Sequence, residues 1–158
     1  MQKTTKLGPI NIIGIELKTT NDNGIAFKEI PPFWQKFYQE NIIGKISNKL
    51  SNDVYAIYTN FENEGINNKG IYSLIIGCPV SDLNNVPENL VSFVIPPSDY
   101  AVFDVEKGKP DKVGEKWQEI WKLSEEDKDF DKKRSYIAEF EHYKSSGEIN
   151  IYIGLKSK

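Results

Sequence analysis

The sequence predicts an α+β fold of two β-α-β-β repeats related by a pseudo-twofold axis. Its sheets are antiparallel, its helices lie on one side, and a ligand groove runs between the repeats. Three observations carry this prediction. The order strand, helix, strand, strand occurs twice along the chain. Two pairs of segments echo one another about 80 residues apart, as duplicated units do. Phe33-Trp34-Gln35-Lys36-Phe37-Tyr38 matches Lys116-Trp117-Gln118-Glu119-Ile120-Trp121, and Ile71-Tyr72-Ser73-Leu74-Ile75-Ile76-Gly77 matches Ile149-Asn150-Ile151-Tyr152-Ile153-Gly154. Finally, 158 residues with 39% hydrophobic, 12% aromatic and 27% charged side chains make one globular domain over 1–158. A chain of about 150 residues buries roughly 68–70% of its unfolded surface, so it needs no disulfide or metal to hold it.

The first repeat runs from about 7 to 80. Leu7 to Lys18 is rich in β-branched residues and reads as one strand, with Gly14 as a bulge. Asn21-Asp22-Asn23-Gly24 is a turn cluster. Pro31 and Pro32 suit a helix start, where N–H groups have no intrahelical partner. Phe33, Trp34, Phe37 and Tyr38 follow as one apolar stripe. Val54 to Tyr58 and Ile71 to Ile76 are strands joined by a polar loop with Gly65 and Gly70.

The second repeat runs from about 88 to 156. Leu90 to Ile95 and Tyr100 to Val105 read as strands separated by Pro96-Pro97-Ser98-Asp99. Val113, Trp117, Ile120, Trp121 and Leu123 trace the apolar face of a second helix. Ser124 to Lys133 reads as a charged loop, Tyr136 to Tyr143 as a strand, and Ile149 to Leu155 as the last strand. Ligands favour junctions such as the one where two repeats meet.

Composition excludes several function classes. With 20 basic and 23 acidic residues the net charge is -3, a poor start for binding nucleic acid. Arg134 is the sole arginine, so bidentate recognition of phosphate or guanine has little to work with. One Cys and one His leave no disulfide and no CxxC site, and a zinc site would need carboxylates for its remaining ligands. No metal and no cofactor are therefore expected. Cys78, after Leu74-Ile75-Ile76-Gly77, reads as a small buried hydrophobe, and His142 as a solvated strand residue. Residues 7–14 are broken by Gly8, Pro9 and Asn11, too short and too interrupted for a signal h-region, and no apolar run approaches a membrane span. A cytoplasmic protein without membrane contact is expected.

The strand Tyr136 to Tyr143 holds the most informative pattern. Alternation puts Tyr136, Ala138, Phe140 and His142 on one face and Ile137, Glu139, Glu141 and Tyr143 on the other. The first set suits packing beneath the helices. The second is either a wet sheet face or, if ringed by aromatics, a site for a lipophilic cation. Tyr55, Tyr58, Tyr72, Tyr100, Tyr136, Tyr143 and Tyr152 all fall on strands and supply candidates.

Phe140-Glu141-His142-Tyr143 resembles the "FE-x-Y" signature near the C-terminus of gyrase-inhibitor-like proteins. These are related to the effector-binding domains of AraC-type and MerR-type multidrug regulators. Phe33-Trp34-Gln35-Lys36-Phe37 resembles their first helix, Ile71 to Gly77 their "Y-x-x-x-x-G" strand, and Trp117-Gln118-Glu119-Ile120 their second helix. Ile95-Pro96-Pro97-Ser98-Asp99-Tyr100-Ala101-Val102-Phe103 resembles their "IP-x-x-x-YAVF" segment. The resemblance spans roughly Ile10 to Leu155 and implies the same two-repeat fold and groove. It implies that Glu141 is the buried acid of an effector site, with Tyr143 and Tyr72 as walls. Glu139 joins them by strand alternation, and Trp117 as a wall from the second helix. The regulators carry a helix-turn-helix module before this domain. Here the first strand opens at about Leu7, so a stand-alone module is expected.

Three functions follow as expectations. The first is binding of small amphipathic, cationic aromatic molecules, promiscuous because planar walls discriminate poorly between planar cations. The second, which the resemblance also implies, is hydrolysis of reactive cyclopropane-type genotoxins, with Glu141 orienting water and Tyr143 donating to an oxyanion. The third is a protein-interaction role, such as gyrase modulation, through the acidic run Ser124 to Asp131.

Overall fold

The computed structural model describes residues 3–157; Met1, Gln2 and Lys158, which the single-domain reading takes in, lie outside them. The strands form one eight-stranded sheet in the order β1-β6-β8-β7-β3-β4-β2-β5, with every neighbour antiparallel. The first unit is β2 (Ile10–Thr20), α1 (Ile25–Gln39), the short α2 (Ile42–Lys45), β3 (Val54–Thr59) and β4 (Ile71–Pro79). The second is β6 (Ser98–Val105), α3 (Val113–Glu126), α4 (Lys128–Lys133), β7 (Arg134–Tyr143) and β8 (Ile149–Leu155).

Read outward from the central β3–β7 pair, each unit lays down its second strand, then its third, then its first. That repetition is the pseudo-twofold, and its axis passes near the Ile57–Phe140 pair. The lead-in strands obey it too. β1 (Lys3–Leu7) completes the far edge of the second unit beside β6, and β5 (Val91–Ile95) that of the first beside β2. The sheets expected for the two repeats are thus joined into one.

Several local expectations are corrected. α1 starts at Ile25, so Pro31 and Pro32 sit inside it rather than at its start. Prolines there leave the carbonyls of Phe27 and Lys28 without helical partners, and this side is exposed, where water serves them. The first strand breaks at Gly8-Pro9 into β1 and β2, since Pro9 offers no N–H. Gly14 is no bulge: it pairs in register with Gly77, and a Cβ there would lie 2.0 Å from the Ile76 carbonyl oxygen. The bulge lies in β7, where the register with β8 shifts between Arg134 and Glu139 and Tyr136 adopts φ +51°.

The charged stretch after Ser124 is helical. The Asp127 carboxylate accepts from the Asp129 and Phe130 N–H groups and caps α4, while Phe130 is buried. Dense charge conceals this single anchored turn.

The facing of β7 is the largest correction. Phe140 packs on the face without helices, stacked on Tyr152 at 4.6 Å and clustered with Tyr55, Ile57 and Tyr100. Glu139, Glu141 and Tyr143 look toward α1 and α3 instead. Strand alternation is correct, but alternation cannot say which face carries the helices. His142 is half-buried, stacked on Tyr55 at 4.2 Å and held by Asp53 at 2.8 Å. Burial pushes its pKa down, with Asp53 opposing. Cys78 is fully buried, as expected, and burial pushes its thiol up to about 11. Among the described residues no helix is long and apolar enough to cross a membrane.

Candidate functional site

A cavity of about 480 Å³ opens where α1 and α3 flank the β3–β7 pair. The amphipathic helices bury one side on the sheet, through Phe33 and Phe37 in α1 and Val113 and Ile120 in α3. Their flanks face one another across the groove. Trp34 of α1 and Trp117 of α3 stand 83 residues apart in the chain, at matching places in the two units, and both line the cavity. Phe27 (80% exposed) and Trp121 lie at its outer part, and Tyr72, Phe61 and Asn21 line it farther along β4.

Its floor is the helix-side face of β3 and β7: Tyr58, Glu139, Glu141 and Tyr143. Glu141 is 3% exposed. One oxygen accepts from the Trp117 indole Nε1 at 2.7 Å and the Tyr58 hydroxyl at 2.9 Å, and the other from the Tyr143 hydroxyl at 2.5 Å. All three donors are neutral. Among the described residues no Lys, Arg or His forms an ion pair with it. Burial pushes the carboxyl above its usual range, and the three hydrogen bonds only partly restore it.

Glu139 is equally buried, and its situation is the opposite. The Arg134 guanidinium meets it at 2.5 Å, with both side chains 2% exposed. Arg134 also donates to the Ser124 hydroxyl and lies 4.3 Å over the Tyr136 ring. The arginine discounted as a phosphate reader is thus a core residue that neutralises one of the two floor carboxylates. Among the described residues its Nε has no hydrogen-bond partner.

The aromatic walls brace one another. Tyr58 meets Trp117 edge to face at 5.5 Å, and Trp34 meets Tyr143 likewise at 5.4 Å. The Tyr72 hydroxyl donates to Asn21 Oδ1 at 2.8 Å, and burial raises its pKa to about 12. Burial and the Glu141 charge hold the Tyr58 and Tyr143 hydroxyls far above the usual phenol range. They stay protonated and act as donors.

The structure therefore brings Glu141, Tyr143, Glu139, Tyr72 and Trp117 to one cavity. Tyr55, Tyr100 and Tyr152 lie on the other face of the sheet and Tyr136 at the bulge. Sequence reasoning placed Tyr58 only among seven strand tyrosines and did not name Trp34 as a wall residue. The signal was present: Tyr58 precedes Glu141 by the same 83 residues that separate Trp34 from Trp117. Chemically, the floor is a buried carboxylate without a cationic partner among the described residues, walled by π faces, and such an arrangement is suited to a positive charge. A water poised for attack would have to compete with three donors already on the carboxylate.

A family model described as "Cass2: Integron-associated effector binding protein" matches residues 4–155. Among solved structures, the integron cassette protein VCH_CASS2 from the mobile metagenome of Vibrio cholerae is 25% identical. It superposes with a TM-score of 0.75 over 98% of this chain and 95% of that one. A putative transcription regulation protein of Staphylococcus aureus MU50 is 18% identical, with a TM-score of 0.75 and 99% of each chain covered. SAV2435, solved bound to tetraphenylphosphonium, is 18% identical, with a TM-score of 0.78 over 99% of this chain and 94% of that one. The last two likenesses concern the fold. Sequence comparison with curated proteins yields no match.

Proposed function

The chain belongs to the integron-associated effector binding protein (Cass2) family, and on that premise we propose that its groove binds amphipathic aromatic monocations with Glu141 as the countercharge. One observation carries this reading: the buried Glu141 carboxylate faces a cavity and is held by neutral donors alone. A buried ionised carboxylate without a cationic partner is costly. A guest that brings one positive charge and flat apolar surface relieves that cost and is held by the ring faces. Tyr143, Trp117, Trp34 and Tyr58 wall the charge, and Tyr72 lines the far part of the cavity. Glu139 orders the floor and contributes little net charge, because Arg134 already offsets it. The bound tetraphenylphosphonium of SAV2435, on the same fold, supports the choice of ligand class.

The test is a calorimetric and thermal-shift titration of the full chain with tetraphenylphosphonium and with a neutral tetraphenyl analogue. Wild type and Glu141→Gln are run side by side. A ligand at 100 times its Kd stabilises the folded state by about 2.7 kcal/mol, well within reach of either method. Binding that requires the charge and is lost in Glu141→Gln is the expected result. Equal binding of the neutral analogue, or indifference to the substitution, overturns the reading.

A further inference from the structure

We infer that Glu139 Oε1 is a second polar contact for the guest, an acceptor for a hydroxyl or N–H carried on one of its arms, away from the cationic centre. This rests on the binding reading above and adds a donor to its ligand class.

The two oxygens of Glu139 are placed differently. Oε2 accepts from Arg134 Nη2, and the same guanidinium donates to the Ser124 hydroxyl and lies over the Tyr136 ring. That anchorage fixes the carboxylate, whose side chain is 2% exposed. Oε1 has no hydrogen-bond partner among the described residues. Arg134 Nε is the one side-chain polar atom among them that is both sealed from solvent and unpaired. Oε1, unpaired as well, is therefore not sealed, and the space it can open to is the cavity that Glu139 lines.

An ionised carboxylate oxygen accepts and never donates. A guest that covers Oε1 with C–H surface strips it of solvent and leaves a buried anionic acceptor unpaired, which is heavily penalised. A guest hydroxyl or N–H replaces the lost bond to water with one to a charged oxygen. Glu139 and Glu141 stand two residues apart on one face of β7, so their side chains leave the backbone about 6–7 Å apart. The cationic centre belongs over Glu141, because Arg134 already offsets Glu139. The donor then belongs roughly one aromatic ring's length from that centre. Glu141 and the wall phenols can also accept, so the contact is assigned by substitution at Glu139 and not by donor preference alone.

The experiment uses two probes of one scaffold: [4-(hydroxymethyl)phenyl]triphenylphosphonium, which carries a donor, and its methyl ether, which carries none. Both are titrated by calorimetry against wild type and Glu139→Gln, with tetraphenylphosphonium as the gauge of an intact wild-type site. In wild type the alcohol is expected to bind on the order of tenfold more tightly than the ether. In Glu139→Gln the amide oxygen turns to Arg134 and the NH₂ takes the place of Oε1, so donor meets donor and the ratio should fall roughly fivefold or more. The size difference between the probes is the same for both proteins and leaves that ratio unmoved. A crystal structure of wild type with the alcohol is the second readout and serves if Glu139→Gln does not fold. It should place the hydroxyl oxygen within about 3 Å of Glu139 Oε1. A ratio unmoved by the substitution, a wild type that prefers the ether, or a hydroxyl seated on another acceptor overturns the inference, while tetraphenylphosphonium binding leaves the broader reading standing. Failure of tetraphenylphosphonium itself to bind wild type overturns both.

Discussion

Glu139 and Glu141 lie two residues apart on one face of one strand, both buried to within a few per cent, and their circumstances are opposed. Glu139 has a cation: Arg134 shares its burial and forms its ion pair. Glu141 has donors but no cation. Burial pushes both carboxyls up, yet only at Glu139 does a neighbouring charge pull back. The lesson is that equal burial leaves two carboxylates in opposite electrostatic circumstances, one with a cationic partner and one without. With Glu141 ionised, a floor of two acids and one arginine carries one uncompensated charge, which is why the proposed guest is a monocation.

The comparison breaks most visibly at Glu139. Glu139→Gln leaves Arg134 charged, buried and unpaired, and removing one partner of such a pair costs about 3–5 kcal/mol. Urea denaturation should show that loss, while tetraphenylphosphonium affinity, measured on the remaining folded protein, changes by no more than about threefold. Glu141→Gln should give the mirror image. Cation affinity falls on the order of 100-fold, about 2.8 kcal/mol at 1.4 per decade, and the ligand-free protein loses no stability at pH 7. The amide suits the pocket, with its oxygen toward Trp117 and Tyr58 and its NH₂ toward the Tyr143 oxygen. If Glu139→Gln abolished binding and Glu141→Gln only destabilised, the two roles would be exchanged.

Acidity sharpens the contrast. The Glu141 carboxyl titrates higher folded than its unfolded value of 4.5. The folded state therefore binds the proton more tightly. The stability this group contributes is full below pH 4.5 and is lost as pH rises through the folded value. Cation binding needs the ionised form and should strengthen with pH across that same window. Denaturation and titration of wild type against Glu141→Gln between pH 4 and 8 should show opposite slopes for stability and affinity, with both differences flat in the variant's own profile. Smallest is Trp117→Phe, which keeps a ring in the wall and deletes one donor. A hydrogen bond to a charged group contributes about 1.5–3 kcal/mol, so stability above the Glu141 pKa should fall by roughly the lower figure. Denaturation at pH 8 and at pH 4 checks it, since the loss should shrink when Glu141 is protonated.

Much of this was legible in the sequence, and the limits have physical causes. The duplicated element order and the tryptophan echo give the two-unit architecture, because helix stripes and strand alternation are local signals. Glu141, Tyr143, Tyr72 and Trp117 line one cavity. Which face of β7 carries the helices was not legible, since alternation has period two and no sign. Nor was the partner of Glu139. Arg134 reaches it across a bulge built on a left-handed Tyr136, and no spacing rule announces that an aromatic residue will accept φ +51°. Pro31 and Pro32 misplaced the start of α1 because proline marks a helix start only on average.

The exchange of edge strands has a mechanical consequence. β1, which leads into the first unit, is bonded to the second, and β5, which leads into the second, is bonded to the first. The two halves are therefore laced together at both margins as well as joined at the β3–β7 seam. Spreading them apart means unzipping three ladders in concert, so the groove behaves as a fixed frame rather than a hinge. On the proposed reading, guests of different breadth are fitted by turning Trp34, Trp121 and Phe27 on their own bonds, with the frame unmoved.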